Sequence, residues 1–69
     1  MALKIKINGK SQVLEKAMTL FDLIKAKGLN QNRIAIEYNQ NIIDKDSLSG
    51  ILIKENDSIE IVNFIGGGR

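Results

Sequence analysis

The sequence predicts an α+β domain in which one sheet carries a single main helix on one face. Three observations lead there. Several short segments alternate strictly between apolar and polar residues, as half-buried strands do. One segment alone has helical spacing with a cap at each end. The chain has 69 residues, enough for one small core and no more.

The first strand is "LKIKI", with Leu3, Ile5 and Ile7 on one face and Lys4 and Lys6 on the other. Asn8 and Gly9 follow, a pair that tolerates positive φ and so closes tight hairpins. "KSQVL" returns as the second strand, Lys10–Leu14. Thr19 then caps a helix running to about Lys27, with Asp22 three residues on as a short-chain capping box. Leu20, Leu23, Ile24 and one of Ala26 or Lys27 form its stripe, and Lys25 and Lys27 suit its negative end. Gly28 is placed to terminate it, with Leu29 as the apolar contact beyond.

"RIAIEY" alternates again and predicts a strand over Arg33–Tyr38, with Ile34, Ile36 and Tyr38 inward. Asn39–Asn41 is a turn and Ile42–Asp44 a short strand. The next stretch mixes turn residues with an apolar cluster of Leu48, Ile51, Leu52 and Ile53, expected as a helical turn or irregular segment over the core. "ENDS" is the last turn, and Ser58–Phe64 the last strand. The order is β-β-α-β-β-β. Strands that alternate, and do not run continuously apolar, imply a sheet with one covered and one open face. Residues 1–65 are expected as the domain and 66–69 as a flexible glycine tail.

Composition narrows the chemistry. The chain has no cysteine and no histidine, which excludes thiol chemistry, Cys/His zinc sites and the commonest general base. Ten basic residues against eight acidic ones are too balanced to imply nucleic acid, and "GGGR" is a single copy with few aromatics around it. No apolar run approaches a membrane span, and "MALKIKINGK" has no signal-like core, so a soluble cytoplasmic protein, monomeric by itself, is expected. Lys4, Lys6 and Lys10 read as a solvated strand face. Asp44, Asp46, Glu55 and Asp57 have no spacing that would hold a metal, and Asp57 reads as a turn residue. The glycine run is no phosphate loop, because no helix follows it.

The candidate functional residues lie at the end. In the last strand Ile59 and Ile61 face the core, while Glu60, Val62 and Phe64 face outward. Val62 and Phe64, with Ala35 on the open face of a neighbouring strand, read as a docking patch. The alternative is a twist or bulge that buries Phe64 at the sheet's end. Glycines without Cβ atoms can thread a channel too narrow for side chains, presenting a terminal carboxylate to another enzyme. The alternative is a loose chain end.

"IKING", "MTLFDLI", "LNQNRIAIEYN" and "NDSIEIVNFIGGG" together resemble the ThiS family of sulfur carriers across nearly the whole chain. The resemblance implies a ubiquitin-like β-grasp fold, a mixed four- to five-stranded sheet with one main helix on one face. It implies a carrier that is itself no enzyme and binds no cofactor. Its terminal glycine, here Gly68, would be adenylated by a ThiF-like enzyme using ATP and magnesium. A sulfur-donor protein would then supply sulfur for a thiocarboxylate, and a ThiG-like thiazole synthase would draw on it for thiamine. Ile65, Gly66 and Gly67 would enter the partner's channel. The sequence departs from the pattern at Arg69, which must be removed or be foreign to the native chain for Gly68 to have a free carboxylate. A MoaD-like carrier for molybdopterin and a β-grasp binding module without tail chemistry are the alternative readings.

Overall fold

The computed structural model describes residues 2–63. Five strands form one mixed sheet: β1 (Leu3–Ile7), β2 (Lys10–Leu14), β3 (Ile34–Tyr38), β4 (Asn41–Ile43) and β5 (Ser58–Asn63), in the order β2-β1-β5-β3-β4. β1 and β5 run parallel, and the other neighbours are antiparallel. A helix, α1 (Leu20–Ala26), lies across one face. The last strand in sequence is thus the middle strand of the sheet.

Local chemistry explains the elements. Asn8 and Gly9 have φ of 52° and 83°, the two left-handed residues of a type I′ hairpin whose twist matches its strands. The Thr19 hydroxyl accepts from the Asp22 amide at 3.1 Å, and Asp22 accepts from the Thr19 amide at 3.2 Å, so both halves of the capping box form. At the far end Gly28 adopts φ of 71°, Leu29 donates to the Ile24 carbonyl at 3.1 Å, and Gly28 to that of Lys25 at 3.0 Å. This is a Schellman closure, with Leu29 packed against the core.

The core comprises Ile5, Ile7, Leu14, Leu20, Leu23, Ile24, Ile34, Ile36, Leu48, Ile53 and Ile59, all buried between α1 and one sheet face. Ala26 and Lys27 are exposed, so the helical stripe is narrower than its spacing suggested. β3 begins at Ile34 because Gln31–Arg33 forms a 3-10 turn, and β4 lies one residue earlier than expected, because a two-residue turn at Asn39 and Gln40 closes its hairpin.

The segment after β4 contains a 3-10 helix over Lys45–Gly50, with Leu48 buried beneath it. Leu52 does not join the expected apolar cluster; it is 52% exposed. The cause is a short antiparallel bridge between Leu52 and Thr19, in which Leu20 donates to the Ile51 carbonyl and Ile53 to that of Met18. Extended backbone alternates its side chains, so Ile53 turns in and Leu52 turns out.

Candidate functional site: the open face of the sheet and the exit of β5

The face opposite α1 carries Lys4 and Lys6 from β1, Glu60 and Val62 from β5, Ala35 and Glu37 from β3 and Ile42 from β4. Register fixes their arrangement. Ala35 sits opposite Val62 and Glu37 opposite Glu60 on β3 and β5, while Ile42 sits opposite Glu37 on β4. Val62 is 56% exposed and Ile42 79%. Ala35, Glu37, Ile42, Glu60 and Val62 share a shallow cavity of about 210 Å³. The structure therefore brings together Ala35 and Val62, the two expected docking residues it describes. The expected docking residue Phe64, the channel residues Ile65, Gly66 and Gly67, and the carrier residue Gly68 lie outside the described residues, as does Arg69.

Sequence reading missed two contributors. The sequence places Ile42 in a short strand but does not assign it a face. It belongs to the patch because its neighbour on β4, Ile43, turns inward and supplies the core contact. The signal was present in the pairing of two adjacent isoleucines, of which only one can point inward.

The second is Asn8. Its side-chain carbonyl accepts from the Ile61 amide at 2.7 Å, its amide group donates to the Ile61 carbonyl at 3.3 Å, and its own backbone N–H donates to Ile59 at 2.8 Å. β1 ends at Ile7, so β5 would lose its partner on that side after Ile59. The Asn8 amide stands in for a backbone peptide group and extends the ladder by one residue pair. It holds β5 just before the segment that leads to the glycines.

The other end of β5 is fixed by Asp57, which is 7% exposed. Its carboxylate accepts from the Tyr38 hydroxyl, from the Lys54 amide at 2.6 Å and from the Asn39 side chain at 3.2 Å. Asn39 in turn accepts from the Ser58 amide at 2.8 Å. Burial pushes the Asp57 carboxyl up, but the donors from Tyr38, Lys54 and Asn39 outweigh it and hold the group below its ordinary value. Burial, the hydrogen bond and the negative charge of Asp57 push the Tyr38 phenol up to about 12. Each acidic donor and acceptor is thereby kept in the form the network needs. The expectation that Asp57 shapes a turn is met, with β3 tied into it.

Among the described residues no group of His, Cys, Asp and Glu converges to hold a metal ion, and no helix is long and apolar enough to cross a membrane. The open face offers apolar contact at Ala35, Ile42 and Val62 and charge at Lys4, Lys6, Glu37 and Glu60.

Comparison with known proteins places this geometry. The chain is 34% identical over 65 residues to the sulfur carrier protein ThiS of Bacillus subtilis, covering 93% of this chain and 98% of that protein. It is also 33% identical over 67 residues to a thiazole synthase of Magnetococcus marinus, where the match covers 97% of this chain but 21% of that protein. The chain thus spans about one fifth of the length of that longer relative. The crystal structure of the thiamine biosynthesis protein ThiS from Geobacter metallireducens superposes with a TM-score of 0.81 at 22% identity, covering 96% of this chain and 100% of that one, which establishes the shared β-grasp fold. The model of the ThiS family matches residues 4–68, ending at the third glycine, and the chain belongs to the ThiS family.

Proposed function

We propose that the chain is a sulfur carrier for the thiazole step of thiamine biosynthesis, with the sulfur borne on Gly68. One observation carries this reading above the others: the family match runs through the glycine run and stops at Gly68. Support for the pathway comes from the thiazole synthase relatives, in which a segment like this chain is part of a longer protein of that name. A carrier joined to its acceptor is a reasonable covalent form of a transient partnership. The same observation favours thiamine over molybdopterin as the destination.

The chemistry follows from what the chain lacks. A carboxylate oxygen is a poor leaving group, and a chain without His or Cys has neither the commonest general base nor a thiol to help displace it. The resemblance to the ThiS family supplies the activating partner in this proposal, a ThiF-like enzyme that uses ATP and magnesium on Gly68. The carboxylate oxygen attacks the α-phosphorus, pyrophosphate departs, and an acyl-adenylate forms. A sulfur-donor protein then delivers sulfur at the sulfide level. The C–S bond forms as the C–O bond to AMP breaks, leaving the thiocarboxylate. If Arg69 belongs to the native chain, hydrolysis of the Gly68–Arg69 peptide bond precedes all of this.

In this scheme Ile65, Gly66 and Gly67 enter the partner's channel, while Ala35, Val62 and Phe64 dock. The carrier is a substrate, and its own side chains make no chemical step. An intact mass spectrum of the protein from its native cells tests the proposal. The expected species ends at Gly68 with one terminal oxygen replaced by sulfur. A chain that retains Arg69 and never gains sulfur, even with activating enzyme, ATP and a sulfur donor, would overturn it in favour of a binding module. Replacing Gly67 with Val is expected to abolish adenylation while leaving the thermal midpoint unchanged; normal adenylation would remove the narrow-channel argument.

A further inference from the structure

Asn8 is the only asparagine of the chain that precedes a glycine. An asparagine side-chain amide is an electrophile, and the backbone nitrogen of the next residue is the nucleophile closest to it along the chain. Glycine in that next position has no Cβ to hinder the approach. In the fold the pair forms the two-residue turn between β1 and β2, and both residues are exposed to solvent. Among the described residues nothing lies within 4 Å of the point where a Gly9 Cβ would stand. The Asn8 side chain is nevertheless held. Its carbonyl accepts from the Ile61 amide at 2.7 Å, and its NH2 group donates to the Ile61 carbonyl at 3.3 Å. The backbone is held as well, since the Asn8 N–H donates to the Ile59 carbonyl at 2.8 Å. Both polar atoms of the reactive amide are thus engaged by β5.

We infer that Asn8 is a deamidation site, at which the Gly9 nitrogen closes a succinimide on the Asn8 side chain, and that the Ile61 clamp sets the rate of this reaction in the folded chain. The Gly9 amide loses its proton to solvent base, and its nitrogen forms a bond to Cγ of Asn8. The Cγ–Nδ2 bond breaks, and the side-chain nitrogen leaves as ammonia with a proton from water. Water then opens the ring. Breaking the bond from the Gly9 nitrogen to Cγ leaves aspartate; breaking the bond to the Asn8 backbone carbonyl carbon leaves isoaspartate. Ring closure needs Cγ to turn onto the Gly9 nitrogen, which the two bonds to Ile61 resist. Two hydrogen bonds of ordinary strength slow such a motion by roughly tenfold to a hundredfold. Either product alters the clamp. A carboxylate at position 8 still accepts from the Ile61 amide, but its second oxygen faces the Ile61 carbonyl, acceptor against acceptor. Isoaspartate adds a methylene to the backbone of a two-residue turn whose length sets the pairing of Ile7 with Lys10. Conversion therefore loosens β5 on its β1 flank. This inference stands on the hairpin and the clamp and is independent of the carrier reading.

The test keeps the full chain in warm, mildly alkaline buffer, folded in one arm and unfolded in guanidinium chloride in the other. Peptide mapping with mass detection follows every asparagine, and an isoaspartate-specific methyltransferase reports the rearranged product. In the unfolded arm Asn8 is expected to convert before every other asparagine, with isoaspartate exceeding aspartate. In the folded arm the same conversion is expected to run at least about tenfold slower. Gly9→Ala is expected to slow the unfolded arm, because the added Cβ crowds the attacking nitrogen. That variant is compared unfolded because a Cβ at φ of 83° strains the folded turn. Chain converted in denaturant and returned to buffer is expected to unfold at a lower guanidinium midpoint than chain returned before conversion. Earlier conversion of another asparagine, aspartate as the sole product, no conversion in either arm, or an unchanged rate in Gly9→Ala would overturn the site. Equal rates in the two arms would overturn the role of the clamp. A wild-type midpoint after conversion would overturn the loosening of β5.

Discussion

β5 belongs to two different environments on its two faces. Inward, Ile59 is fully buried and touches the helix-covered core; outward, one and three residues later, Glu60 and Val62 meet solvent. One six-residue strand thus contributes both to what holds the fold and to what the fold presents. The comparison teaches that stability and recognition are separable here by parity alone. A substitution one position along the chain exchanges one property for the other.

The sharpest way to break the comparison is Ile59→Ala. Removing a fully buried isoleucine is expected to cost ~2–5 kcal/mol. A domain of this size has a total stability on the order of 3–10 kcal/mol, so the variant should be largely or partly unfolded in urea titration at midpoints the wild type withstands. Val62→Ala, three residues on and half exposed, is expected to change stability by less than ~0.5 kcal/mol. If the two variants cost the same, the division of labour between the faces is wrong.

Asp57→Asn probes the network at the start of the strand and is expected to cost ~1–3 kcal/mol, because a buried acceptor loses charge-assisted bonds. It also has a pH signature. The folded-state pKa of Asp57 lies below its ordinary value of 3.8, so its contribution is present above that pH and is lost as pH falls through the folded value. The acid limb of stability should therefore flatten in Asp57→Asn. At the alkaline end the Tyr38 phenol moves from 10.0 to about 12, so stability holds below pH 10 and falls as pH rises toward 12. Tyr38→Phe should remove that alkaline loss.

A smaller effect than that of Asp57→Asn is expected from Asn8→Gly, which keeps the left-handed backbone and deletes only the side-chain clamp on Ile61. A loss of ~1 kcal/mol is expected, with faster hydrogen exchange at the Ile61 amide and little change at Ile59. Unchanged exchange at Ile61 would show that the ladder to β3 alone fixes the end of the strand.

Much of this arrangement was legible in the residues, because the features were local. "LKIKI" and "SIEIVN" carry their own period of two, Asn8-Gly9 its own turn, and Thr19, Asp22 and Gly28 their own helix boundaries. Val62 and Ala35 could be placed on the open face from parity. Their direct opposition could not be read, since the register of β3 against β5 depends on pairing between distant segments. Leu52 misled because its direction is set by a bridge to Thr19, more than thirty residues earlier in the chain. The same holds for Asn8: its turn role is encoded next door, but its clamp on Ile61 joins residues 53 positions apart. The glutamate pair is a product of topology in the same sense.

The central position of β5 has a mechanical consequence. In the proposed carrier role, an enzyme that drew on the chain beyond Asn63 would load β5, the middle strand of the sheet. That strand is bonded on one flank to β1 and Asn8 and on the other to β3. Tension directed along it loads these bonds in shear, all together, whereas an edge strand pulled sideways would peel one bond at a time. In that role the domain would resist unravelling from the end that is pulled.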